Sequence, residues 1–157
     1  MLHAKRAPSI LLFCVLLLAA ASLLTLPVQS DLAGLPLLAG ARIDPAVLKV
    51  IERSCQDCHS EATRYPWYAY VAPVSFLIKS DVNRGRRHLN LSRWNEYPLV
   101  RKERSLSEIA NQVKDHEMPL WQYTLLHPDA RLSEPDVNAI FQWTQAERSR
   151  LIAESQR

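Results

Sequence analysis

Two cysteines and a histidine lie within the five residues Cys55-Gln56-Asp57-Cys58-His59. These side chains are compatible with a redox-active dithiol, with part of a zinc site, or with covalent attachment of haem. A thioredoxin-like dithiol sits at a strand-to-helix turn, but here a predicted helix precedes the motif and no strand flanks it. Zinc needs four ligands, and His88, His116 and His127 offer no second paired spacing to complete a set. Both of these interpretations are therefore disfavoured.

The position of His59 directly after Cys58 favours haem. In a c-type site the two thiols add across the vinyl groups of haem, and two intervening residues let one turn of backbone present both sulfurs. The histidine after the second cysteine then supplies the proximal ligand of the iron. The sequence predicts one haem c per chain, attached at Cys55 and Cys58 and ligated by His59.

Met118 is the candidate for the second axial ligand. Apart from the initiator it is the only methionine of the chain, and it precedes Pro119 in "DHEMPLWQY". A thioether on a proline-flanked loop suits an axial position, and a His/Met pair favours reduced iron and raises its potential. The alternatives are that Met118 fills the core or that His116, two residues earlier, is the ligand. We predict Met118.

A haem also needs apolar walls and donors for its propionates. Five aromatic residues are candidates for walls or for ordinary core packing: Trp67, Tyr68, Trp94, Trp121 and Tyr123. Trp and Arg side chains can donate hydrogen bonds to carboxylates. Arg64, Trp67 and Arg87 are the predicted propionate partners, with a solvated surface position as the alternative for the arginines.

The N-terminus resembles an export signal. Lys5 and Arg6 precede an uncharged, mostly apolar run of 17 residues at 10–26, and Val28-Gln29-Ser30 offers small residues before a cleavage point. Residues 1–30 are predicted to be a signal peptide or an uncleaved signal anchor, in which case 10–26 is the only membrane contact. Either interpretation places the rest of the chain in the periplasm.

The composition after residue 30 narrows the partners and the use of the cysteines. Residues 31–157 contain 17 Lys plus Arg against 16 Asp plus Glu, a net charge of +1, so there is no electrostatic argument for nucleic acid. With Cys14 inside the signal, only Cys55 and Cys58 remain. A disulfide between them would close a very small loop and add little stability. Redox proteins, including a membrane respiratory complex, are the predicted partners.

No segment alternates with period two, and apolar residues recur at helical spacing. Asp44 and Pro45 predict the start of a helix, and Ser133 predicts the start of another. A capping box at Ser105 and Glu108 predicts a third, ended by Pro119. Further helices are predicted in "VSFLIKSDVNRGRRHL", where Gly85 lies near the end, and in "LSRWNEYPLVRKERS". The expected fold is all-α, a cytochrome c-like bundle of four or five short helices around the haem, with a linker at 31–43 and the domain at 44–157.

With these residues in view, the chain resembles the bacterial haem-binding domain family of small monohaem relatives of cytochromes c. The resemblance spans residues 47–143 and is carried by "CQDCHSEATRYPWYAYVAPVSFLI", "DVNRGRRHLNLSRW" and "EMPLWQYTLLHPDARLSEPDVNAIFQW". It implies covalent haem at Cys55 and Cys58, a proximal His59, a Met118 loop and a C-terminal helix entered through Leu132-Ser133.

Three functions are compatible with such a domain. With both axial positions filled, the protein transfers single electrons between partners, which is the preferred hypothesis. With an open or labile distal site it would be a gas or redox sensor or a small peroxidase-like enzyme, and His116 or His127 could act as a distal acid or base. The third is a haem-bearing subunit docked on a larger membrane complex.

Overall fold

The computed structural model describes residues 6–24, 26–27, 30 and 33–157, and this part of the chain is helical without a strand. Its α-helices are α1 Arg6–Leu24, α2 Pro45–Ser54, α3 Gln56–His59, α4 Val74–His88, α5 Leu99–Lys114, α6 Trp121–Leu126 and α7 Glu134–Ser155. Short 3₁₀ helices cover Trp67–Tyr70, Leu91–Glu96 and Pro128–Ala130. The all-α prediction is confirmed, although α6 was not anticipated.

Helix α2 forms where its local signals predict. The Asp44 carboxylate accepts a hydrogen bond of 2.7 Å from the Ala46 N–H, and Pro45 occupies the first helical position. Its apolar face is buried at Ile51, and Cys55 packs against the same core from the end of the helix. The first cysteine is thus carried by a capped, well-anchored helix.

Helix α5 begins earlier than predicted, so the assignment of Ser105 and Glu108 as a capping box is wrong. The helix starts at Leu99, and the Pro98 carbonyl accepts the N–H groups of Arg101 and Lys102 at 3.0 Å each. Proline presets the backbone just before a first turn without removing a bond the helix needs. Ser105 therefore lies inside α5 and is buried.

The end of α5 is also set by a different residue from the one predicted. His116 adopts the left-handed conformation, with φ of 56°. The N–H groups of Glu117 and Met118 both donate to the Gln112 carbonyl, at 3.0 and 3.2 Å. This is the pattern of a Schellman-type helix end, with histidine where glycine is more common. The helix stops before Pro119 is reached, and the turn fixes the backbone of Met118 to α5.

The core lies between α2, α5, α7 and the 3₁₀ helix Leu91–Glu96. Its buried apolar residues are Leu38, Val50, Ile51, Leu91, Trp94, Tyr97, Leu106, Val113, Val137, Ile140 and Trp143. The segment predicted as a linker is irregular but packed, because the Leu38 N–H donates to the Leu91 carbonyl at 2.9 Å. The Trp143 indole N–H also donates to the Arg42 carbonyl at 3.0 Å.

Helix α1 exposes its large apolar side chains between Ile10 and Leu18. Within the ranges that the structure describes, no helix has both the length and the hydropathy to cross a membrane. The predicted basic residue Lys5 and the cleavage-site residues Val28 and Gln29 lie outside the described residues.

Helix α7 starts at the predicted cap. The Ser133 hydroxyl and N–H both donate to the Asp136 carboxylate, at 2.6 and 2.9 Å, and the Asp136 N–H donates back to Ser133. Arg53 of α2 bonds the same carboxylate at 2.7 Å. Burial alone would raise the pKa of Asp136, but these Ser133 and Arg53 contacts lower it below its ordinary value.

The Asp136 contacts lead to a pH-dependent stability. A carboxyl whose folded-state pKa is lowered stabilises the fold above its unfolded pKa, and this contribution is lost as the pH falls through the folded pKa. Asp136→Asn is expected to lower the free energy of unfolding at pH 7 by about 1 kcal/mol, and the difference should vanish in acid. Denaturant unfolding from pH 7 to pH 2 measures it. Asp115→Asn, at an exposed aspartate, is the control, and an equal loss in acid would contradict the prediction.

Candidate functional site

The two cysteines lie on either side of a single helical turn. Cys55 joins α2 to α3 with non-helical dihedral angles, φ of −123° and ψ of −28°. The His59 N–H donates to the Cys55 carbonyl at 3.0 Å and closes the turn. Cys55 packs against the core, while Cys58 lines a cleft on the surface. One short element therefore presents both sulfurs and the histidine.

The thiols are poor metal or redox groups in this setting. Burial raises the pKa of Cys55 to about 12, and burial followed by the nearby Asp57 raises the pKa of Cys58 to about 11. Both thiols are protonated at neutral pH, whereas zinc ligation and dithiol exchange use the thiolate. In the described ranges no three His, Cys, Asp or Glu residues are grouped as a metal site. The raised pKa values disfavour dithiol exchange.

His59 is oriented by a backbone carbonyl. Its Nδ1 lies 3.1 Å from the Leu89 carbonyl oxygen, a contact that requires the hydrogen on Nδ1. The other ring nitrogen, Nε2, is then the acceptor, as metal-ligating histidines usually have it. Burial lowers the pKa of His59, which favours the neutral imidazole that binds iron. The geometry suits an axial ligand.

Gly85 allows α4 to pass directly against the cysteine turn. A Cβ atom at this position would lie 2.5 Å from the Cys58 carbonyl oxygen and 3.3 Å from its Cβ. The sequence placed Gly85 near the end of this helix, and α4 does end three residues later, at His88. The absent side chain also permits a close approach of two backbones, which the sequence did not indicate.

A buried acidic residue secures the chain just after the motif. Glu61 is 9% exposed and accepts a bond of 2.7 Å from the Asn90 amide. Arg86 and Arg93 lie 3.3 and 3.5 Å from its carboxylate. Burial would raise the pKa of Glu61, but Asn90 and Arg86 lower it below its ordinary value. Sequence reasoning missed this cluster, because nothing local indicates that residues 25 to 32 positions apart meet.

The cleft beside Cys58 has an empty volume of about 760 Å³, including the part open to solvent. Its walls are largely apolar, and three of the wall residues remain well exposed: Val74 at 40%, Leu77 at 53% and Leu126 at 60%. An uncovered apolar surface beside a cysteine motif fits a flat apolar group such as haem.

The predicted propionate partners have different positions. Arg64 lines the cleft, where its Nε donates to the Asp57 carboxylate at 2.9 Å and its Nη2 to the Glu52 carbonyl at 3.2 Å. Trp67 is 79% exposed and outside the lining of the cleft, with its ring edge-on to Tyr68. The exposed Arg87 is likewise outside the lining.

The structure does not bring the two predicted axial ligands to the cleft. The ring of His59 faces Leu89, and Met118 is half-buried between α5 and α6, while the cleft is lined by Leu120 and Gln122 just beyond it. The rival His116 is exposed and lies 3.8 Å from Glu134.

The cleft wall carries a cluster of polar residues that the sequence predicted only in part. The Tyr123 hydroxyl donates to the Asp57 carboxylate at 2.7 Å, and its ring stacks on His127 with centroids 4.3 Å apart. The His127 Nε2 lies 2.8 Å from the Tyr68 hydroxyl. The aromatic residues and His127 were named from the sequence, but Asp57 was not, because it fills a variable place between the two cysteines.

The all-helical fold with a cysteine–histidine turn beside an apolar cleft defines a class of haem proteins. The model of the haem-binding domain family matches residues 29–146. The chain belongs to that family, and the resemblance drawn from the motifs is confirmed.

The chain is also similar to one curated protein, the cytochrome c peroxidase Ccp of Escherichia coli (strain K12). The two are 28% identical over 105 residues, which is 65% of this chain and 23% of that protein. The chain therefore spans about a quarter of the length of this relative. No solved structure matches the chain significantly.

The contact between Gly85 and Cys58 leads to a prediction on haem loading. Gly85→Ala should displace the Cys58 backbone, lower the free energy of unfolding by about 1 to 3 kcal/mol and reduce the haem content per chain. Gly34→Ala is a matched control, because a Cβ there meets nothing within 4 Å. Haem absorbance per unit of protein and denaturant unfolding measure the effects. Equal behaviour of the two variants would contradict the prediction.

Proposed function

We propose that this haem-binding protein is an exported monohaem c-type cytochrome that transfers single electrons between partner proteins. The observation that carries the proposal is the short turn on which Cys55, Cys58 and His59 follow one another, with the His59 Nδ1 on the Leu89 carbonyl. Two thiols held protonated by burial are suited to form thioethers, which gives them a use other than metal binding.

The chain's own residues would act by holding and shielding the cofactor. Haem, when bound, supplies an iron that accepts and releases one electron. Cys55 and Cys58 fix its position, and Leu89 keeps the His59 Nε2 free for the iron. The apolar walls of the cleft exclude water, and an environment that changes little between the two oxidation states favours fast electron transfer.

Met118 is proposed as the sixth ligand in preference to His116. The helix end at Gln112 holds the Met118 backbone, and Leu120 and Gln122 just beyond it line the cleft. His116 has a different structural role. Its left-handed backbone ends α5, and its exposed ring lies near Glu134. A His/Met pair would give the higher potential of an electron carrier.

The site of action is proposed to be the periplasm. The apolar run at 10–26 behind a basic N-terminus supports export, and haem is attached to CxxCH motifs on that side of the membrane. Redox proteins, including a membrane respiratory complex, are the proposed partners.

A second candidate is a peroxidase-like enzyme with an open or labile distal site. The name of the similar Escherichia coli protein favours it, and so does the Tyr68–His127 pair, because a histidine bonded to a phenol on the cleft wall can move a proton. The reduced protein would then bind carbon monoxide without denaturant, whereas a protein with both positions filled would resist it.

Replacement of Met118 tests the carrier hypothesis. The oxidised protein should show the far-red charge-transfer band of methionine bound to iron, and Met118→Ala should abolish it because the thioether is lost. His116→Ala should keep the band. Optical spectra of protein made in a host that matures c-type haem provide the measurement. A band that survives Met118→Ala would contradict the assignment of Met118 as the sixth ligand.

Replacement of the cysteines tests the covalent linkage. Haem should remain on the polypeptide after denaturation, and the double variant Cys55→Ser with Cys58→Ser should release it. Cys14→Ser, at a cysteine exposed on α1, should retain the haem. Haem staining of denaturing gels distinguishes these results, and retention by the double variant would rule out thioether attachment.

A further inference from the structure

We propose that Asp57, inside the cysteine–histidine motif, tethers α6 through Tyr123 and thereby restrains the Met118 segment next to the haem site. Asp57 and Tyr123 are positioning residues in this role. The proposal rests on the proposed function, because it assumes that Met118 is the sixth ligand. Asp57 occupies one of the two positions between the cysteines, where the motif specifies no residue type, and the proposal gives this residue a function.

The central contact joins the motif to α6. The Tyr123 hydroxyl donates to Asp57 Oδ2 at 2.7 Å, within the short range of charge-assisted hydrogen bonds. Asp57 is 8% exposed, so water competes little for this bond. Burial, followed by the bond to Asp57, raises the pKa of Tyr123, and the phenol therefore remains a donor.

The acceptor is itself held in place. The backbone N–H and the Nε of Arg64 donate to Asp57 Oδ1 at 3.0 and 2.9 Å, and the Arg64 Nη2 reaches Oδ2 at 3.2 Å. The Thr63 hydroxyl donates to the Asp57 carbonyl at 2.6 Å. These bonds fix the Asp57 carboxylate on α3. The bond that it accepts from Tyr123 therefore restricts the movement of α6.

A second contact secures the end of α6. His127 follows the helix directly, stacks on the Tyr123 ring with an angle of 11° between the planes, and lies 2.8 Å from the Tyr68 hydroxyl. Tyr68 belongs to the 3₁₀ helix on the opposite wall of the cleft. The segment is thus bonded at Tyr123 and again at His127.

Helix α6 has little else to hold it. It has six residues and none of them is buried, and a helix of this length is not stable alone. Trp121, Leu125 and Leu126 are 76%, 63% and 60% exposed. Because apolar burial contributes little here, the two polar contacts are the principal restraints. Met118 lies three residues before α6, so release of α6 also frees the methionine.

The tether would decide between the two candidate functions. With the bond formed, α6 stays on the cleft wall and the Met118 segment is kept beside the sixth position, which favours the electron carrier. With the bond broken, Met118 leaves more often and a small ligand can enter beside the Tyr68–His127 pair. The chemistry of that ligand is a diatomic gas or a peroxide, since a position vacated by one thioether sulfur admits only a few atoms.

Tyr123→Phe tests the tether, because it removes the hydroxyl and keeps the ring that stacks on His127. Carbon monoxide binds reduced iron only when the sixth position is vacant, so its binding rate reports opening. Loss of a hydrogen bond to a charged group should raise this rate by about 10- to 100-fold. Amide hydrogen exchange at residues 121–127 should accelerate in parallel. Tyr70→Phe, at an exposed tyrosine of the same 3₁₀ helix as Tyr68, should change neither.

Asp57→Asn is the second variant, and its amide oxygen can still accept from Tyr123 without the charge. It should therefore give an intermediate increase in both rates and keep the covalent haem. Wild-type binding and exchange rates in both variants would overturn the tether. If the far-red band survives Met118→Ala but exchange at 121–127 accelerates in Tyr123→Phe, the tether stands and the sixth-ligand assignment fails.

Discussion

The close approach of α4 to the cysteine turn is the constraint on which the site depends. Gly85 leaves room for the Cys58 backbone, and the Leu89 carbonyl, four residues further along, orients the His59 ring. The Leu89 N–H donates back to the Gly85 carbonyl at 2.8 Å. The residue that makes room for Cys58 and the carbonyl that accepts from His59 therefore belong to one helical turn. A side chain at position 85 would displace the Cys58 backbone and, with it, the turn that carries His59. The geometry of the motif is therefore a property of α4 as much as of α3.

Electrostatics reinforces this packing. Arg86 follows Gly85 directly, and its Nε donates to the Ser60 carbonyl at 2.7 Å while its Nη1 lies 3.3 Å from the Glu61 carboxylate. Burying such charges is favourable only when their partners are well placed, and removal of one partner leaves an uncompensated charge. Asn90 supplies a further bond to Glu61, so the acid is satisfied. The segment leaving His59 is consequently held at the same end of α4 that holds the histidine.

The sequence predicted those features whose causes lie within a few residues. Asp44 with Pro45 and Ser133 with Asp136 act within one turn, and the helices begin where these residues stand. Gly85 was correctly placed near the end of its helix, but its contact with the Cys58 backbone, 27 positions away in sequence, has no local signal. Ser105 was wrongly taken as a helix cap. The charged residues after Pro98 show no helical spacing of apolar residues that would have indicated an earlier start. Asp57 was missed because its partners Arg64 and Tyr123 come together only in the fold.

The polar contacts on the cleft wall connect cofactor binding with closure. Tyr123–Asp57 and Tyr68–His127 are hydrogen bonds at the edge of an apolar cleft, and such bonds strengthen when water is excluded. A haem that fills the cleft would remove that water and leave the donors no other partner. The same bonds restrain α6 and the segment that precedes it. Haem binding and the restraint of α6 would therefore each favour the other by linkage.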